Sequence, residues 1–103
     1  MTTERIMLSS GSTATLQVGV CFPDRQEQRD HTGDQLTITD HLGIRDREYF
    51  VTPDRKVFLI GRAIEIKTLP STTAHYAESF GRLDEQDPET TKNILAIYDL
   101  FHR

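Results

Sequence analysis

The chain has a single cysteine, Cys21, so it can form no internal disulfide and offers no second thiol to a redox or metal pair. No apolar run approaches the roughly eighteen residues of a membrane-spanning helix, and the opening MTTERIMLSS lacks the apolar segment of a signal peptide. These absences lead us to expect a reducing, cytoplasmic setting and no membrane partner. No G-x-G-x-x-G or G-x-x-x-x-G-K loop is present to cradle phosphates, and no G-x-S-x-G elbow to expose a nucleophilic serine. Nucleotide chemistry and hydrolase-type acyl transfer therefore have no local signature, and no cofactor is expected.

Positive charge is also in short supply. Twelve basic residues stand against sixteen acidic ones, and residues 68–103 hold six of the acids but three of the bases. Asp84, Glu85, Asp87 and Glu89 lie together with no base after them until Lys92, which disfavours phosphate backbones, so no nucleic-acid partner is expected. The same cluster also reads as a solvated linker followed by the acid-favouring first turn of a helix. At 103 residues and 36% hydrophobic content the chain should form one small α+β domain, spanning residues 1–103, with a modest core.

What is present is alternation first and helical periodicity last. Residues 13–22 alternate, with Ala14, Leu16, Val18, Val20 and Phe22 expected on one face of a strand and Cys21 on the other. Residues 5–8 can pair with it through the turn formers Ser9, Ser10, Gly11 and Ser12. Residues 23–34 are polar without a hydrophobic period and read as a mobile loop. Strands are expected at 35–39 and 47–52, then a turn at Thr52-Pro53-Asp54-Arg55, then a central strand over 56–69 bent by a bulge at Gly61. Pro70 ends that strand. Ser71 or Thr72 caps a helix carrying Ala74, Tyr76, Ala77, Phe80 and Leu83, which stops near Gly81.

The last seventeen residues, 87–103, give a second helix with Asp87 as N-cap, Pro88 in its first turn, and a wide apolar face of Ile94, Leu95, Ile97, Tyr98, Leu100 and Phe101. The expected fold is thus an antiparallel meander of about five strands, an open sheet or a partly closed small barrel, followed by two C-terminal helices.

Three sets of residues could carry chemistry. Asp30-His31 and Asp40-His41, with Asp34 between them, could bind zinc or iron or form a general-base pair if they converge; otherwise the aspartates serve their turns and the imidazoles face solvent. His31, His41 and Asp34 are the ligand candidates. Cys21 would need an imidazolium beside it to act as a nucleophile, and no signature supplies one. Arg45, Arg47, Arg55 and Arg62 each lie near an acid, a cross-strand pairing pattern that could serve an anion only if several shared a face.

Two functional classes follow. The first is a non-enzymatic protein-interaction module, an accessory, adaptor or inhibitor. It would bind a protein partner or a second copy through the C-terminal helix, at Leu95, Leu100 and Tyr98, or through an exposed sheet edge. The second is a small-molecule binder or small enzyme with a pocket between sheet and helices, gated by residues 23–34. The first helix is the expected cover for Leu95 and Leu100 if the fold is self-contained.

Overall fold

Six strands precede one helix: β1 (Thr3–Met7), β2 (Thr13–Asp24), β3 (Arg29–Thr39), β4 (Asp46–Val51), β5 (Val57–Thr68), β6 (His75–Glu85) and α1 (Pro88–Leu100). The computed structural model describes residues 3–24 and 27–102. Each strand pairs antiparallel with the next, giving an open six-stranded sheet in sequence order.

Residues that pair across antiparallel strands point to the same side, so the register sorts the side chains onto two faces. On one face Leu16, Leu36, Tyr49 and Leu59 form a row, beside Ala14 with Ile38 and Val51 with Val57. Helix α1 lies on this face: its Ile94 is buried in the same cluster as Ala14, Leu16, Leu36, Tyr49, Val51 and Val57, and Leu95, Ile97, Tyr98 and Phe101 pack around it. The other face carries Phe50, fully buried and opposite Phe58. Here the sheet covers itself by curling. Phe22 of β2 approaches Phe50 with ring centroids 6.1 Å apart, and its ring would lie 2.8 Å from a Cβ placed on Gly81 of β6.

That curl depends on a bulge. Gln17 pairs with Gln35 but Val20 pairs with Gly33, so β2 holds one extra residue at Val18-Gly19, with Gly19 at a φ of 74°. An extra residue inverts the alternation beyond it. Val20 and Phe22 therefore leave the face of Ala14 and Leu16 and reach the Phe50 side, which corrects the single apolar stripe read from residues 13–22. Gly61, the expected bulge site, lies in an unbroken register that runs from Phe58 with Glu85 to Thr68 with His75.

Two further expectations fail. There is one C-terminal helix and not two: residues 75–85 form β6, and the Ser/Thr run before it makes the hairpin turn, with Leu69 N–H bonded to Ala74 O and the Thr72 hydroxyl accepting the Ala74 N–H. A long neighbouring strand with unpaired backbone outweighed a short helical period that β-favouring Tyr76 and Phe80 supported only weakly. The expected loop over residues 23–34 is largely strand, because β2 continues to Asp24 and β3 begins at Arg29. Polar side chains are accommodated there by pairing with one another, Asp24 with His31 and Glu27 with Arg29; residues 25 and 26 of that segment lie outside the described residues.

Helix α1 starts as its sequence dictates. The Asp87 carboxylate accepts the Thr90 N–H, which lowers the Asp87 pKa, first through its contact with Thr90; Pro88 occupies the first turn and Glu89 the positive end of the dipole. The helix closes at Phe101, and residue 103 lies outside the described residues. At the Thr52–Arg55 turn, Arg55 adopts a φ of 64° and its guanidinium grips Asp99 of α1 through two bonds of 3.0 and 2.9 Å.

Candidate functional site

The aspartate-histidine pairs do not converge. His31 lies near the start of β3 and His41 in the turn beyond its end, roughly 30 Å apart at about 3.3 Å per strand residue. Neighbouring strand residues face opposite sides, so Asp30 cannot partner His31. The imidazole instead meets Asp24 on the adjoining strand, with Nε2 3.0 Å from Oδ2. Asp40 serves its turn: its carboxylate accepts the Ile44 N–H at 3.0 Å, the leading cause of its lowered pKa, while His41 stays exposed.

Asp34, the third candidate, has a structural post. Its Oδ1 accepts the N–H of bulge residue Gly19 at 3.1 Å and its Oδ2 accepts the Tyr98 hydroxyl of α1 at 2.5 Å. Partial burial, then the Asp34 carboxylate, push the Tyr98 pKa up to about 12.

Asp24, Glu27 and His31 gather at the β2–β3 hairpin end, each placing one ligand atom within 4.8 Å of the others. His31 Nε2 lies 3.8 Å from Glu27 Oε2, and Arg29 Nε holds that same oxygen at 2.7 Å. One imidazole and two carboxylates are a donor set suited to zinc or a similar divalent ion. Arg29 already pairs with Glu27, and His31 and Asp24 hydrogen-bond one another, so the cluster is also complete as a polar network. Asp24 and Glu27 were not singled out in the sequence because only the hairpin brings them to His31.

The helix residues are divided by their surroundings. Tyr98 is tied to Asp34. Leu95 packs partly against the core and lines an open groove of about 500 Å³ with Ala96, Thr91 and Arg55, and Leu100 is 36% exposed near the helix end. The expected covering helix is replaced by β6. Arg45 and Arg47 line a separate groove of about 380 Å³ beside Ile44, well away from Arg55 on Asp99.

The largest departure from a closed fold is the β5–β6 hairpin. β4 pairs with β5 only at Val57, Phe58 and Leu59, while β5 and β6 run on together to Thr68 and His75. Beyond Leu59 the hairpin is a two-stranded arm, and the molecule extends 57 Å along its longest axis against 32 and 29 Å across it. The bonds Thr52 N–H to Lys56 O and Gln86 N–H to Val57 O fix which backbone groups face which neighbour. Odd-numbered residues of β5 turn toward β6. Arg62, Ile64, Ile66 and Thr68 turn their N–H and C=O groups outward, where no strand pairs with them among the described residues. Ile64 and Ile66 are also 68% and 66% exposed.

β1 has five residues, and the sheet-proximal part of β6 carries Arg82, Asp84 and Glu85 and is crossed at Gly81 by Phe22. The outer part of β6, from His75 to Ser79, also has no further strand beside it among the described residues, but it bears no exposed isoleucine. Among the described residues no helix is long and apolar enough to cross a membrane. The chain matches no protein-family model, no curated protein and no solved structure.

Proposed function

We propose that this protein is a non-enzymatic interaction module whose interface is a sheet edge, the outer side of β5 from Arg62 to Thr68, which accepts a further strand. The observation that carries this reading is that the outward backbone row coincides with two exposed isoleucines. A two-stranded ribbon is marginal in water, whereas a third strand supplies partners for its backbone and cover for its apolar side chains. Natural edges are usually blunted by charge, proline or brevity, and the distal part of β5 carries isoleucine at successive outward positions.

The helix groove at Leu95 and Ala96, beside Arg55 of the β4–β5 turn, supports a lesser, second contact. The alternative, a small-molecule binder or small enzyme with a pocket between sheet and helix, has less support here, since residues 23–24 and 29–34 of its expected gate are paired strand.

The test uses a photo-crosslinking amino acid at Ile64 or Ile66 in cells, followed by mass spectrometry. A discrete adduct is expected that disappears in Ile66→Pro, because proline removes an outward N–H without touching the β5–β6 ladder. No adduct from either position would retire the reading.

A further inference from the structure

Resting on that reading, we propose that the strand accepted by β5 is the β5 of a second copy of this chain, paired antiparallel about a twofold axis at Ile66. Because Ile66 turns its N–H and C=O outward, Ile66 of one copy can exchange both hydrogen bonds with Ile66 of the other, and Ile64 can do so with Thr68 on either side. The neighbouring register positions then place Glu65 opposite Lys67 of the second copy, twice. These positions do not exchange hydrogen bonds, so their side chains come closest of all.

Charge selects this register. Within one copy Glu65 and Glu78 sit directly opposite each other, and Lys67 serves both, 2.7 Å from Glu78 and 3.9 Å from Glu65. Like charges face to face destabilise a ladder, and a second Lys67 in line with Glu65 relieves that repulsion. Centring the pairing on Glu65 would instead oppose the two Glu65 carboxylates. Centring it on Ile64 opposes no charged pair and drives each hairpin tip toward the other copy's β4. Centring it on Ile66 overlaps only the outer halves of the arms, ends at Pro70, and sets Ile66 on Ile66 and Ala63 on Leu69.

In a Cys21→Ser background, Ile66→Cys and Ile64→Cys are each oxidised and their solution masses measured up to roughly millimolar concentration. The proposed register brings the two 66 positions to about 5.5 Å between Cα atoms, within disulfide reach, and leaves the two 64 positions beyond 10 Å. Ile66→Cys should cross-link nearly completely and Ile64→Cys should not. Glu65→Lys and Lys67→Glu should each run at the chain mass, and an equal mixture should form a one-to-one dimer, because each then presents the charges the other lacks.

Cross-linking at 64 in place of 66, or no association by the mixed variants, overturns the register. A wild-type chain that stays monomeric at the highest concentration overturns the dimer itself. In that monomer the amides of Ile64 and Ile66 separate the two ideas: fast exchange keeps the edge open for a different partner, and protection means the arm is closed and the interaction reading fails with it.

Discussion

The Tyr98 hydroxyl donates to the carboxylate of Asp34, 64 residues earlier in the chain, and the other oxygen of that carboxylate holds the Gly19 N–H of the β2 bulge. One side chain therefore fixes the helix to the sheet and secures the bulge that turns Phe22 toward Phe50. Tyr98→Phe removes one partner and should lower unfolding free energy by about 0.5–1.5 kcal/mol. Asp34→Ala strips both donors of their acceptor and should cost more, roughly 1–3 kcal/mol. Urea denaturation of the two variants checks the order; an Asp34→Ala loss no larger than that of Tyr98→Phe would show that the bulge is held by other means.

The same contact sets an alkaline transition. Tyr98 ionises at about 12 when folded, chiefly through partial burial and then through Asp34, against about 10 in an unfolded chain. A raised pKa favours the neutral phenol in the fold, so its contribution to stability is complete below pH 10 and is lost as pH climbs toward 12. Near-ultraviolet titration of tyrosinate should show a late-ionising phenol that is missing in Tyr98→Phe and moves earlier in Asp34→Ala.

Two glycines mark where the curl admits no side chain. A Cβ on Gly33 would sit 2.4 Å from Val51 O and 3.0 Å from the Phe50 ring, both in the rigid centre of the sheet. Gly33→Ala should cost about 1–3 kcal/mol or more by overpacking. A Cβ on Gly81 would meet the Phe22 ring at 2.8 Å, and Phe22 is only partly buried near a hairpin end, so Gly81→Ala should cost less. Thermal midpoints for the two variants, measured side by side, test the ranking.

Arg55 combines a left-handed backbone with a forked bond to Asp99. Arg55→Gly relieves the backbone while losing an exposed pair that salt screens, so it should match the parent in stability. Arg55→Ala keeps the backbone cost and loses the pair, and should fall below both. If Arg55→Gly drops as far as Arg55→Ala in chemical denaturation, the Asp99 contact outweighs the backbone term.

Local signals determined the parts of this protein that are settled within a few residues: the Asp87 cap with Pro88, the Thr52–Arg55 turn, the Ser9–Ser12 turn, and strands whose alternation is clean from Thr13 to Gln17. Tertiary structure decided the rest, because the deciding partner lay far away in the chain. Residues 71–81 fit a short helix until β5 offered them a ladder. The 23–34 stretch resembles a loop until its two halves pair. Phe22 belongs with Leu16 until Gly19 inserts one residue and sends it to Phe50. The interaction surface shows the same division: Ile64 and Ile66 read as core residues of a central strand, and only the early end of β4 pairing at Leu59 leaves them in water. Alternation tells which residues share a side; which side is covered depends on how far the neighbouring strand extends.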